Sequence, residues 1–229
     1  MEKEILTFRN LLPNSNYLAS NTFKSLRTNL MYTENTKVLT VTSAVASEGK
    51  SMVGFQLANS FSLIDKRVLL IDCDMRKGSI KRYFNLKGRV YGLSELLTNQ
   101  TDDIIYPTVN RNLDVIFSGK YPPNPTELLS SKLFSDMIKR CREDYDYIVM
   151  DTPPMSVCAD ATITGRLSDG VVLVVRNDTV SKKVLRNVKT QLLRNGSRIL
   201  GVVLNRVKKN QVDYQGDKYY DQYYGEEKK

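Results

Sequence analysis

Residues 38–51 read VLTVTSAVASEGKS, and the reading of this stretch decides the fold. Val38 to Ser43 is a β-branched run with the character of a strand, and a turn containing Gly49 follows it. From Lys50 onward, Val53, Leu57, Ala58, Phe61 and Ile64 recur at helical spacing. A strand, a glycine turn and a helix in that order aim backbone N–H groups and a helix N-terminus at one point, where an anion binds. Ser43 to Ser51 resembles G-x-x-x-x-G-K-[ST], with Ala44 in place of the first glycine. The backbone from Ser47 and Glu48 to Met52 is expected to cradle nucleotide phosphates, Gly49 permitting the close approach. Lys50 is expected to reach the β- and γ-phosphates, and Ser51 to offer its hydroxyl to Mg²⁺.

Outward from this turn, short apolar runs alternate with helical patterns, as βαβ units of a parallel sheet require. Val68 to Asp72, Leu113 to Phe117, Tyr147 to Asp151, Val171 to Val175 and Ile199 to Leu204 read as strands buried on both faces. Leu128, Leu129, Leu133, Phe134, Met137, Ile138 and Cys141 predict one helix between them, and Val184, Leu185, Val188 and Leu192 another. The expected fold is therefore α/β: a P-loop NTPase with a parallel β-sheet flanked by helices on both faces. Residues 1–35 are expected to form a polar N-terminal arm with one amphipathic helix, its stripe being Phe23, Leu26 and Leu30. Residues 36–207 form the nucleotide-binding domain. Residues 208–229 form a polar tail, almost without aliphatic side chains, that is expected to be disordered in isolation.

Two of the strands end in carboxylates. Leu69-Leu-Ile-Asp-Cys-Asp-Met-Arg76 closes one with Asp72 and Asp74, and Tyr147-Ile-Val-Met-Asp-Thr-Pro-Pro154 closes another with Asp151. In a parallel sheet the carboxyl edge is where ligands sit. Aspartates after strands also begin turns or cap helices, but three of them at the ends of apolar strands beside a phosphate loop argue against so plain a role.

Composition narrows the chemistry. The chain has 229 residues, enough for one domain with its own core, and 41% of them are hydrophobic. No apolar run approaches the roughly 20 residues of a membrane helix, and MEKEILTFRN lacks a secretory h-region, so a cytosolic chain is expected. Cys73, Cys141 and Cys158 are widely spaced and read as reduced thiols, not as a zinc site. There is no histidine, so proton transfer falls to carboxylates, Lys, Tyr or water. The net charge of +9 raises nucleic acid as a partner, but the cations are scattered and no nucleic-acid module accompanies them. Lys182, Lys183, Arg186 and Lys189 read as a solvated helix face, open also to anionic lipid or an acidic partner.

At these motifs the sequence resembles the bacterial protein-tyrosine kinases (BY-kinases) that control capsule and exopolysaccharide assembly. Ser43 to Ser51 is similar to their Walker A motif, LLIDCDMR to Walker A′ and IVMDTPP to Walker B. FSGKYPPNPTELLSS, Gly201 to Arg206 and the terminal tyrosines extend the likeness from about Asn21 to the end. The resemblance implies autophosphorylation with Mg·ATP of Tyr214, Tyr219, Tyr220, Tyr223 and Tyr224, which lie within the last 16 residues. It implies that Lys50 binds phosphate, that Ser51, Asp74 and Asp151 hold Mg²⁺, and that Asp72 accepts the proton, though Asp72 and Asp74 could exchange roles. It assigns Asn205 to adenine. It also implies a separate transmembrane activator whose cytoplasmic tail docks near the nucleotide, recruitment to the inner face of the membrane, and self-association in a ring. Two departures stand out. Ala46 and Ser47 replace the family's Pro-Gly, and Asn21, Lys24 and Arg27 stand where Glu, Arg and Arg serve the ring. The nearest rival is a positioning ATPase of the MinD/ParA type, whose signature lysine falls here on Val45. A non-catalytic, ATP-gated scaffold for polysaccharide export is the second.

Overall fold

Val38–Ser43 is buried at every position, and the rest of the molecule is arranged around it. The computed structural model describes residues 5–9, 17–177 and 180–207. In chain order the elements are β1 (Thr7–Phe8), α1 (Tyr17–Met31), β2 (Val38–Ser43), α2 (Lys50–Ser62) and β3 (Val68–Asp72). A 3-10 turn (Ile80–Tyr83) then leads to β4 (Phe84–Asn85), α3 (Leu93–Leu97), β5 (Ile105–Pro107) and β6 (Leu113–Ile116). α4 (Pro125–Leu129), α5 (Lys132–Asp144), β7 (Tyr147–Asp151), α6 (Asp160–Leu167), β8 (Gly170–Arg176), α7 (Lys182–Arg194) and β9 (Ile199–Asn205) follow.

The main sheet has the order β5-β6-β3-β7-β2-β8-β9. All its neighbours are parallel except β5 against β6. Alternate side chains of each strand feed opposite faces. Leu39, Val41 and Leu70 pack with Val53, Leu57 and Phe61 of α2. Val38, Leu69 and Ile71 pack on the other face with Phe134, Met137 and Ile138 of α5. Helices therefore cover both faces, as the buried apolar runs require. Among the described residues no helix is long and apolar enough to cross a membrane. The three cysteines carry no disulfide, Cys73 and Cys141 being buried.

Four local expectations are corrected. The helix expected from Leu128 to Cys141 is two, because Ser131 breaks the run and caps α5, its hydroxyl accepting from the Phe134 N–H. The short run Ile105–Pro107 adds an antiparallel edge to a sheet expected to be parallel throughout. β9 is the opposite edge, so Val202 and Leu204 are exposed where a fully buried strand was expected. The N-terminal segment is not a polar arm outside the core. Leu6 is buried, its N–H donates to Pro107, and Phe8 packs edge-on against Phe55 at 5.7 Å. The α1 stripe of Phe23, Leu26 and Leu30 does join the core, on the α2 side.

Asp169 ties the entry of the central strand to the α5 face. Its carboxylate accepts from the N–H groups of Lys37 and Val38 at 2.8 and 2.7 Å, and from Arg142 at 2.7 and 3.1 Å. Burial acts to raise this carboxyl, but the guanidinium and the two N–H groups outweigh it and hold it below the ordinary range. A depressed folded-state value means that the stabilisation is complete above the unfolded value, near ~3.9, and is lost as pH falls through the folded one. Asp169→Asn is expected to cost about 2–3 kcal/mol at pH 7. In urea titrations the gap between wild type and variant should narrow below about pH 4.

Candidate functional site: a phosphate loop beside three carboxylates

The sheet order brings the sequence motifs together. β3, β7 and β2 are consecutive neighbours, so Asp72, Asp151 and the turn after Ser43 end side by side at one carboxyl edge. Asp72 and Asp151 are directly paired across β3 and β7, and Val41 pairs with Asp151. Lys50 begins α2 at that edge and turns back over it. Its Nζ donates to Ser51 Oγ at 3.1 Å, Asp74 Oδ2 at 3.3 Å and Asp151 Oδ1 at 3.3 Å. All four side chains are buried. Burial acts to lower the Lys50 value, but Asp151, Asp74 and Asp72 outweigh it and hold the ammonium ionised. Asp72 is pushed up to about 8, first by burial and then by Asp151.

The expected phosphate loop is a braced turn. Ser47 sits in the left-handed region at φ 66°, and Gly49 at φ 93°. The first is uphill for a residue with a Cβ, by roughly 1–2 kcal/mol, and something must hold it there. Glu48 does. Its carboxylate is fully buried and accepts from the Val45 N–H at 2.8 Å and the Arg176 N–H at 2.9 Å. The side chain thus serves the loop's shape, and only the backbone of Glu48 remains to serve a phosphate. Asn205 completes the brace by donating from Nδ2 to the Glu48 carbonyl at 2.8 Å. A Cβ added at Gly49 would collide with that Nδ2, and φ 93° strains any residue with a Cβ, so a substitution there would cost both backbone strain and the Asn205 bond. Met52 follows Ser51 in the first turn of α2 and is half-buried.

Asp72 and Asp74 are wrapped by the segment that follows them. Asp72 accepts from the N–H groups of Asp74 and Ile80, both at 3.1 Å, and Asp74 accepts from the Lys77 N–H at 2.9 Å. Ser79 Oγ donates to Ser51 Oγ at 2.7 Å. Arg76 reaches the other way, donating to Thr126 Oγ1 at 2.8 Å and lying 3.6 Å from the Asp160 carboxylate. Sequence reasoning missed Ser79, Thr126 and Asp160. Arg76 within LLIDCDMR was the available signal, since a cation beside two carboxylates needs a partner elsewhere. Arg27 turns inward and donates to the Ser60 carbonyl of α2 at 2.8 Å, while Lys24 is exposed and Asn21 half-buried. Tyr214, Tyr219, Tyr220, Tyr223 and Tyr224 lie outside the described residues.

A glycine turn, a lysine and three carboxylates at or just after the strand ends of this sheet define a P-loop nucleotide-binding protein. Residues 36–194 match the family described as an AAA domain. The tyrosine-protein kinase CpsD of Streptococcus agalactiae is 36% identical over 195 residues, covering 84% of this chain and 85% of CpsD. The crystal structure of the chimerical protein CapA2B2 superposes with a TM-score of 0.81 at 30% identity, over 90% of this chain and 96% of that one. The kinase domain of Escherichia coli tyrosine kinase ETK gives 0.76 at 30% identity, over 83% and 78%. The chain belongs to the bacterial protein-tyrosine kinase family, and it is an enzyme, a protein-tyrosine kinase.

The brace has a measurable consequence. Glu48→Ala leaves the Val45 and Arg176 N–H groups unpaired and releases Ser47. By calorimetry it is expected to weaken ATP binding by about 10- to 100-fold, from a loss of roughly 1–3 kcal/mol. Far-UV circular dichroism should stay unchanged, because the carboxylate touches only the last residue of one strand, Arg176 of β8.

Proposed function

We propose that this kinase phosphorylates Tyr214, Tyr219, Tyr220, Tyr223 and Tyr224 of a second copy of itself, and so regulates capsular or exopolysaccharide synthesis and export. The observation that carries the reading is the Lys50 ammonium, held by Ser51, Asp74 and Asp151 beside Asp72. A cation already sits among three hard oxygens there, and such a donor set suits Mg²⁺. Among the described residues no three His, Cys, Asp or Glu side chains gather as a metal site of their own, so phosphate oxygens would complete the shell. Ser51, Asp74 and Asp151 would hold the ion, which supplies charge neutralisation on the phosphates. Lys50, released from the carboxylates, would neutralise the transferring group.

In the proposed step the tyrosine oxygen bonds to the γ-phosphorus, the bond to the bridging β–γ oxygen breaks, and ADP leaves. The phenolic proton would pass to Asp72, which must first be ionised. Burial and its neighbours as they stand push that carboxyl up to about 8, so it would accept the proton above that pH or once drawn down by a bound cation. A tyrosine hydroxyl, ordinarily near ~10, needs such an acceptor, and the chain has no histidine. Asp72 is only 1% exposed, so the segment over it must shift to admit an aromatic ring. Asn205, against Gly49, is assigned to the edge of the adenine. The likeness to CapA2B2 supports a separate transmembrane activator that recruits the chain to the inner membrane face and docks near the nucleotide. Self-association, with a ring as one form, would bring tail and site together. Arg27 is already engaged by Ser60, so a ring contact would have to draw on Lys24 or break that bond.

Lys50→Met is expected to cut phosphotyrosine by at least about 10²-fold, measured by mass spectrometry on folded protein. Asp72→Asn should leave Mg·ATP affinity within about threefold by calorimetry while turnover collapses. Phosphotyrosine at the wild-type rate in Lys50→Met would remove the assignment. Loss of Mg·ATP binding in Asp72→Asn would exchange the roles of Asp72 and Asp74.

A further inference from the structure

The segment that wraps Asp72 and Asp74 carries charge of one sign. From Met75 to Leu93 there are six basic side chains, Arg76, Lys77, Lys81, Arg82, Lys87 and Arg89, and no acidic one. Arg76 turns inward to Asp160, and the other five are exposed. Exposed Arg9 joins them, because its N–H donates to the Tyr83 carbonyl at 2.9 Å. The platform is anchored. Ile80 and Tyr83 are buried, the Tyr83 ring stacks on Phe55 at 4.9 Å, and the Ile80 N–H is bonded to Asp72. Lys81 is therefore the next residue after a direct contact with the proposed proton acceptor, and Lys77 is itself in contact with Asp74 through its N–H.

The tyrosine-rich end has the opposite charge. Residues 213–227 contain Asp213, Asp217, Asp221, Glu226 and Glu227 against Lys218, which is −5 + 1 = −4; Lys208, Lys209, Lys228 and Lys229 flank this acidic stretch and bring residues 208–229 as a whole to zero. Each of the five tail tyrosines has an acidic side chain within two residues. Complementary charge of this kind steers encounter and fixes register more than it adds raw affinity. An extended acidic strand laid on cations at the mouth of the site would present one tyrosine after another to the same carboxylate.

We propose that the exposed cations of this segment, Lys77, Lys81, Arg82, Lys87 and Arg89, with Arg9, are the docking surface for the acidic, tyrosine-bearing residues 213–227 of a second copy of this chain. The proposal rests on the tail-phosphorylation reading above, and it adds where the acceptor is gripped and what selects it.

The test uses full-length chains. The enzyme carries phenylalanine at its five tail tyrosines, the acceptor is Lys50→Met, and acceptor phosphotyrosine is followed with time. Reversing Lys81, Arg82, Lys87 and Arg89 to Glu in the enzyme is expected to slow transfer by at least about tenfold and to weaken its dependence on salt. Its ATP affinity by calorimetry should be unchanged. An acceptor with its five tail carboxylates replaced by Lys should be poor for the native enzyme and restored with the reversed one. A misfolded variant cannot produce that restoration. Reversing Lys182, Lys183 and Lys189 on α7 should leave the rate as it was. Equal rates for every pairing of surface and tail, with brisk transfer by the native pair, would overturn the docking surface and leave the kinase reading standing. No transfer by the native pair would remove the reading beneath it. If reversal abolishes binding to phosphatidylglycerol vesicles but not transfer, the face belongs to a membrane and the proposal is lost.

Discussion

Three carboxylates buried at one edge of a sheet repel one another, and the site depends on the cation that lies among them. Asp72 and Asp151 are paired across adjacent strands, and Asp74 follows two residues on. In low dielectric, carboxylates so placed do not all stay ionised without a compensating charge. Lys50 supplies it to Asp74 and Asp151, to which it is bonded along with Ser51, while Asp72 stays pushed up to about 8. The same arrangement explains why the lysine is useful to a nucleotide enzyme. On the proposed function, a γ-phosphate and a divalent ion would replace both of its roles at once, the carboxylates holding the ion and the ammonium meeting the phosphate. Neither exchange leaves a buried charge unpaired, which is the condition for rearranging such a site at modest cost.

Holding Lys50 over that edge requires a turn with two left-handed residues, one of which is not glycine. The strain at Ser47 is borne by Glu48 and Asn205, which tie the loop to the ends of β8 and β9. The loop's shape is thus coupled to the sheet's far strands. Asn205, at the end of the edge strand β9, is one hydrogen bond from the phosphate loop.

The strands and the motif carboxylates were legible because they follow from local pattern. A run such as VLLID admits little besides a strand buried on both faces, and Asp after it falls at the ligand edge whatever the strand order. What could not be read depends on neighbours distant in sequence. Glu48 reads as one more residue of the phosphate turn until Arg176 is seen to donate to it. Leu6 and Phe8 are two apolar residues in a polar segment, and only the hydrogen bonds to Pro107, Val109 and Tyr83 make that segment part of the core. Arg27 matches a ring-contact position by register, yet Ser60, 33 residues away, takes its guanidinium. The break at Ser131 was local and readable, since a serine that can cap a helix interrupts the apolar periodicity there.

The covering of Asp72 links access to recognition. Both of its oxygens are engaged by N–H groups, and the Ile80 bond belongs to the segment that screens it from solvent. A Cβ at Gly78 would come within 3.2 Å of Asp72 and collide with Ser118, so the chain there lies as close as glycine allows. An aromatic acceptor therefore reaches the carboxylate only by displacing residues 78–80. Those residues are bracketed by Lys77 and Lys81, and a strand pulling on these cations pulls on the covering itself. An uncharged tyrosine segment has no such purchase. On the proposed reading, the segment that covers Asp72 would thus respond to a charged substrate, which would favour transfer to protein over hydrolysis.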